Sequence, residues 1–249
     1  MLGAKLGITS KQYNIVTDGL IMHYEPSFNK SWPGGSSLYN LASGSLTPTG
    51  SIITDATMVG SSGNNGGYMY FDGSDGYVNI LDTSQTSVSK GSIVYWTKVF
   101  SNNGAYNGFI SGRNGSNSDF NSGVNVDMMN ASSVTFDQLN IEGAGRDPEH
   151  EVNDMTSSQP FDTWVHVGIT INNTLISVYI NNVAEGTRAR SDVAMGWGNM
   201  TLGVRWYSSQ IQSATYLDAN VGQYLIYDRV LTSDEISQNY NASKDRYTN

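Results

Sequence analysis

Apolar side chains recur at every second position through much of this chain. Leu20, Met22 and Tyr24 fall on one face, as do Ile93, Tyr95, Thr97 and Val99, then Val165, Val167, Ile169 and Ile171, then Ile176, Val178 and Ile180. Such alternation marks strands with one face in a core, because successive side chains leave a strand on opposite sides. The runs at 164–171 and 175–180 are parted by Asn172-Asn173-Thr174, whose asparagines tolerate the left-handed backbone of a tight hairpin. Further strands are predicted at 68–72, 76–80, 108–111, 124–128, 134–141, 200–206 and 221–227, and clusters of Gly, Asn or Ser separate most of them. The expected fold class is all-β: a two-sheet antiparallel β-sandwich with one short C-terminal helix.

The helix is announced by LIYDRVLTSDEI. Thr232 followed three positions later by Glu235 is a capping box, in which each side chain satisfies the other residue's orphan backbone N–H. Leu231 before the cap and Ile236 after it can close as a hydrophobic staple, while Asp234 and Glu235 suit the positive end of the helix dipole. Ile236 and Tyr240 form one apolar pair before Lys244, Asp245 and Arg246 are expected to return the chain to water.

Composition narrows the choice of partner. The 249 residues carry 13 Lys and Arg against 22 Asp and Glu, a formal charge of −9 that repels a polyanion, so nucleic acid is not an expected partner. Only 14% of residues are charged, and there is no cysteine, which removes disulfides, thiolate metal sites and cysteine nucleophiles together. One domain of this length buries enough surface to stand without such staples. The opening MLGAKLGITSKQYNIV lacks the apolar core of a secretory signal, and no stretch is long enough to cross a bilayer, so neither export by that route nor membrane insertion is expected. Residues 1–17 carry Lys5 and Lys11 but no acid until Asp18, and read as an N-terminal arm on a single domain spanning 18–249.

Five segments in order carry a resemblance: VTDGLIMHYEPSFNKSWPGGSSLYNL, YMYFDGSDGYVNI, GSIVYWTKVF, DTWVHVGITINNTLISVYINNVAEGT and VGQYLIYDRVLTSDEI. This series resembles the concanavalin A-like, laminin-G-type jelly rolls and covers residues 16 to 247. The resemblance implies that the last strand lies in the sheet that also holds the first, with the helix clasping the end of the sandwich. IVTDGL, NKSWPGG…LYNL and YDRVLTSDEI…NYNASKDRY are most similar to domains in structural proteins of tailed bacteriophages. That resemblance implies a non-enzymatic virion protein, a head decoration protein or tail-fibre piece, present in many copies or as a homo-oligomer. It would be assembled in the host cytoplasm, dock to other capsid or tail proteins and hold cell-surface glycans weakly. The chain departs from the family pattern at MHYEP, where an apolar residue and an acid are more usual.

Candidate chemistry is sparse. A glycosidase needs two carboxylates facing each other across a cleft. Glu149 and Glu151 in EHEVND share a face if extended, but Pro148 precedes them, position 153 is Asn, and the surroundings read as a loop, so no catalytic residue is assigned. Glu149, Glu151 and Asp154 could instead offer oxygens to calcium, as could Asp218 by analogy with the laminin-G-type sandwiches; no cofactor is otherwise required. His23, His150 and His166 are too scattered for zinc, and His166 matches a structural histidine in the family's W-x-H strand. Trp32, Trp197, Trp206 and Tyr207 fall in or beside predicted loops, where their rings could stack on sugar faces.

Overall fold

A computed structural model describes residues 14–42, 49–53, 56–59, 66–81, 89–102, 106–114, 117–118, 123–128, 135–136, 139–143, 158–190, 196, 199–207 and 210–248. Two eight-stranded sheets face each other. The first runs β16 (Val183–Ala189), β15 (Leu175–Ile180), β14 (Val165–Ile171), β7 (Gly91–Ser101), β20 (Asp218–Tyr227), β5 (Tyr68–Asp72) and β4 (Thr57–Val59), with β1 (Leu20–Tyr24) also paired to β20. The second runs β12 (Leu139–Gly143), β10 (Val124–Met128), β8 (Asn107–Asn114), β17 (Asn199–Leu202), β6 (Tyr77–Leu81), β3 (Thr49–Ile53) and β2 (Ser37–Tyr39), with β9 (Asn117–Ser118) on β8. Two small ribbons pair β11 (Thr135–Phe136) with β13 (Gln159–Pro160), and β18 (Trp206–Tyr207) with β19 (Gln210–Ile211). Every pairing among the described residues is antiparallel.

The core lies where alternation places it. Ile93, Tyr95 and Val99 of β7 and Val167, Ile169 and Ile171 of β14 meet Val78 and Ile80 of β6, Val124 and Val126 of β10, and Met200 and Leu202 of β17. The other face of the first sheet is buried as well, under α1 (Ser233–Tyr247). This explains why β14 and most of β7 and β20 are buried at every position instead of every other one.

The capping box forms in full: Thr232 accepts from the Glu235 backbone N–H and Glu235 accepts from that of Thr232. Arg229 reinforces it with a two-pronged contact to the Glu235 carboxylate at 2.9 and 2.6 Å, which holds that acid down at about 2. The helix is longer than expected, at 15 residues. Its buried stripe, Ile236, Asn239, Ser243 and Tyr247, keeps helical spacing with small polar members that hydropathy does not register. Each has a partner on the sheet or in the adjoining chain. Ser243 accepts from the Trp96 indole N–H at 2.8 Å, and Asn239 reaches both the Tyr227 hydroxyl (3.0 Å) and the backbone N–H of Val16 (2.9 Å). Of the residues assigned to the arm, Ile15 and Val16 are buried against Leu231 and Ile236; residues 1–13 lie outside the described residues.

Arg246 does not return to water. Its guanidinium pairs with the carboxylate of Glu25, which is fully buried beyond the end of β1, and donates to Gln223 Oε1 at 2.8 Å. Ser27 donates to Glu25 at 2.6 Å, and His23 Nε2 lies 3.2 Å from the other carboxylate oxygen. Burial, with the Arg246 charge second, lowers His23 to about 3, so the histidine is neutral and Arg246 is the cation. The unusual HYEP stretch is thus a buried lock between the first strand and the last helical turn.

The predicted strand at 200–206 is corrected. It ends at Leu202, because Gly203 takes a φ of +87° with the Phe71 ring packed where a side chain would stand. The run predicted at 134–141 divides between β11 and β12.

Two outcomes follow. Glu25→Gln is expected to cost about 3 kcal/mol in denaturant unfolding, because it strands a buried guanidinium. His166 is fully buried, lowered by burial to about 3, and has no hydrogen-bond partner on either ring nitrogen among the described residues. The unfolded chain therefore takes up a proton near pH 6.5 that the folded one refuses until about 3, and stability falls as pH drops through that window. His166→Phe should flatten the slope of stability against pH between 6.5 and 4, read from midpoints at each pH.

Candidate functional site

On the second sheet the register produces alternating rows. One buried row crosses Ile141, Val126, Ile110, Leu202 and Val78 to half-buried Ile52. The neighbouring row crosses Asn125, Ser111, Thr201, Asn79, Ser51 and Ser37, all polar. The polar row lines the outer face, away from the first sheet. It is open at the β3 end, where Ser51 is exposed, and closed at the β10 end, where Asn125, Ser111 and Thr201 are fully buried.

What closes it is the segment between β17 and β20. The Trp206 backbone N–H donates to Ser111 Oγ at 3.0 Å, Thr201 Oγ1 donates to the Val204 carbonyl at 3.0 Å, and Ser111 donates to Asn125 Oδ1. Gly108 on β8 lets the segment lie flat, since a β-carbon there would run into the backbone of Val204 and Arg205. Arg205 sits over the sheet with its Nε 3.6 Å from the carboxylate of Asp127, itself fully buried.

This geometry bears on each acid. Glu25 and Asp127, both fully buried, each face an arginine, so neither is poised as a free acid or base. Asp218 is half-buried, accepts from the Ser101 hydroxyl and stands opposite Asp72 in register. No group of three or more metal-ligating side chains occurs among the described residues. Glu149, Glu151 and Asp154 lie outside them.

The expected aromatic platform is not assembled from the described rings. Trp32 is half-buried against the core and donates its indole N–H to the Gly35 carbonyl at 3.0 Å. Half-buried Trp206 belongs to the closing segment. The Trp197 residue and the Tyr207 side chain lie outside the described structure.

Other rings gather instead. At the sandwich end where strands pass from one sheet to the other, Tyr77 and Tyr216 stand 6.4 Å apart, and Tyr106 lies over the Arg205 guanidinium at 4.5 Å. The Asn107 amide donates to the Tyr216 carbonyl at 2.7 Å, the Gly108 N–H donates to that of Thr215 at 3.0 Å, and the Gly73 N–H donates to that of Leu217 at 3.0 Å, so three loops are tied together there. On the outer face of the first sheet, beyond α1, Tyr70 and Phe100 meet at 6.3 Å and Tyr68 and Trp164 at 5.9 Å. These rings carry no distinguishing motif, and only the topology brings them together.

The family model described as the concanavalin A-like lectin/glucanases superfamily matches residues 72–237. The chain belongs to that superfamily. No curated protein sequence matches it. Among solved structures, domain 4 of an extracellular arabinanase from Geobacillus stearothermophilus, in complex with arabinotriose, is 14% identical with a TM-score of 0.59, over 92% of this chain and 100% of that one. The binding domain of botulinum neurotoxin DC, in complex with SialylT, is 15% identical with a TM-score of 0.62, over 94% of this chain and 53% of that one. The sialidase of Trypanosoma rangeli, in complex with sialic acid, is 13% identical with a TM-score of 0.58, over 93% and 34%. The chain therefore spans about half the length of the toxin domain and a third of the sialidase. At these identities the likeness is one of fold.

Arg205→Met is expected to destabilise the protein by about 3 kcal/mol, because Asp127 is left buried opposite an apolar side chain. Adding Asp127→Asn should recover part of that loss, and the coupling is read from a double-mutant cycle in denaturant.

Proposed function

We propose that this protein is a non-catalytic, lectin-like structural component of a tailed-bacteriophage particle. It is displayed in many copies on the head or tail, docks to neighbouring virion proteins and holds cell-surface glycans through its outer loops. The observation that carries the non-catalytic part is the state of the buried acids: Glu25 and Asp127 are each set against an arginine, and the outer face of the second sheet is shut over Asp127. A glycosidase needs opposed carboxylates open to a sugar. The phage setting rests on the sequence resemblance of the IVTDGL and YDRVLTSDEI segments. Glycan holding is supported by the superfamily and by similar structures solved with arabinotriose and with SialylT.

A lone shallow sugar site holds at around millimolar, about −4 kcal/mol. Repetition on a particle multiplies the effect by roughly 10²- to 10⁴-fold with no new contact, which is why copy number belongs to the mechanism. A free-standing carbohydrate-binding module is the second reading, supported by the full coverage of the arabinanase domain, itself one part of a larger enzyme. Neither reading requires a cofactor.

The test is a gradient of purified phage particles probed for this chain, together with a reducing-sugar assay on polysaccharides. Co-sedimentation in many copies without turnover is the expected result. Absence from particles with glycan retention by the free protein would favour the module, and steady sugar release would end both.

A further inference from the structure

Resting on the glycan-holding part of that reading, we infer that the sugar site lies on the outer face of the first sheet, beyond the last turn of α1, where two pairs of rings flank Asn220, and that it takes a neutral sugar. The contact then sits on a strand-built surface instead of loop tips.

The strand pattern puts the parts together. Met69 and Phe71 of β5, Val99 of β7, Val165 of β14, and Ala219 and Val221 of β20 belong to the core, so Tyr68, Tyr70, Lys98, Phe100, Trp164 and Asn220 leave on the opposite side. In register Tyr70 stands opposite Asn220, and Asn220 opposite Lys98, so one row crosses three neighbouring strands. Val165 pairs with Thr97, and the Asp162 N–H donates to the Val99 carbonyl at 2.7 Å, which lays Trp164 alongside Lys98. Two ring pairs then span β20, Tyr68 with Trp164 at 5.9 Å and Tyr70 with Phe100 at 6.3 Å. Asn220 lies between them.

The rings are held without being closed on one another. Each pair meets edge-on, at interplanar angles of 63° and 68°, so neither ring covers its partner's face as a stacked ring would. All four are half-buried, and Trp164 is braced by the buried Tyr247 ring at 4.8 Å. Rings fixed in this way meet the C–H face of a pyranose or furanose with little ordering cost.

Asn220 is the telling residue. It is only 7% exposed, and its backbone carbonyl accepts from Thr97 Oγ1, yet its side-chain amide has no hydrogen-bond partner among the described residues. Burying an amide without a partner costs free energy that a ligand can return. The amide is not sealed off from solvent. The Trp164 indole N–H and the Tyr68 and Tyr70 hydroxyls are likewise unpartnered among the described residues. An amide with a donor and an acceptor side by side, next to further donors, matches adjacent hydroxyl groups on a sugar ring.

Charge selects among sugars. The Lys98 ammonium is already engaged, with Asp162 at 2.7 Å and the Phe100 ring at 5.6 Å. Asp72 and Asp218, opposite one another in the next row, add two carboxylates, and the whole chain carries −9. Sialic and uronic acids are therefore repelled, whereas neutral hydroxyl groups are not.

The experiment uses the full chain on surfaces densely coated with arabinotriose, maltotriose, cellotriose or mannotriose, and with 3′-sialyllactose or trigalacturonate. Retention on at least one neutral surface, and on neither acidic one, is expected. Tyr70→Ala and Asn220→Ala should each lower it about tenfold, the loss of one stacking contact or one hydrogen-bonding group. Because the Asn220 amide holds nothing in the protein, the unfolding midpoint of Asn220→Ala should stay at the parent's value while binding falls, a split that a structural asparagine would not give. Tyr39→Ala, at an exposed tyrosine of the second sheet, should bind as the parent does. Retention unchanged in both site variants overturns the site while leaving glycan holding intact. Preference for the acidic surfaces overturns the charge argument, and a parent dimer that Tyr70→Ala turns into a monomer overturns the site in favour of an interface between copies. No retention on any surface overturns the site and the glycan-holding reading together.

Discussion

The fold depends on covering the first sheet from both sides. Its inner face is closed by the second sheet, and its outer face by one helix that must be held at both ends to stay down. At the start the capping box and the Arg229 fork fix the exit from β20; at the end the Arg246 guanidinium closes on Glu25. Burying an ion pair costs desolvation that its attraction only partly returns. What the pair adds is uniqueness of placement, since a helix slid by one residue would leave two buried charges unmatched. Because β20 touches β1, β5 and β7 and leads directly into the helix, fixing the helix also fixes the middle of the sheet.

The second sheet repeats the device with different parts. Its outer polar row would be open to water along its whole length if the segment before β20 did not fold over it. That segment brings Arg205 down onto Asp127 and ties its backbone to Ser111 and Thr201. One consequence is chemical: the acid that a catalytic reading would seek on this face is already paired and shut in. Another is architectural, because the same segment delivers Tyr216 to the end of the sandwich beside Tyr77 and above Asn107. Closing the face and building the aromatic edge are therefore one event.

Much of the fold was legible in the alternation, and much of the site was not. The strands at 68–72, 124–128 and 175–180 are as the side-chain period predicts, because each has one strongly apolar face. Short edge strands such as Ser37–Tyr39 and Thr57–Val59 have too few residues to show a period, and the full length of the helix was hidden because Asn239 and Ser243 fill its buried stripe. Tryptophans near loops drew attention as sugar platforms by residue type alone. The described ones, Trp32 and Trp206, are engaged in packing and closure, while the tyrosines that do pair come from positions 77 and 216, which no local motif links.

By itself the sequence determined the two-sheet scaffold, the helix start and the superfamily, because period, capping chemistry and family motifs are local and survive without knowledge of neighbours. Only the tertiary structure decided that Glu25 and Arg246 form a buried pair 221 positions apart in sequence, that Asp127 is sealed under Arg205, and that Tyr77 meets Tyr216. Burial and the pairing of charges are properties of a residue's surroundings, and the surroundings are set by how strands far apart in the chain come to lie side by side.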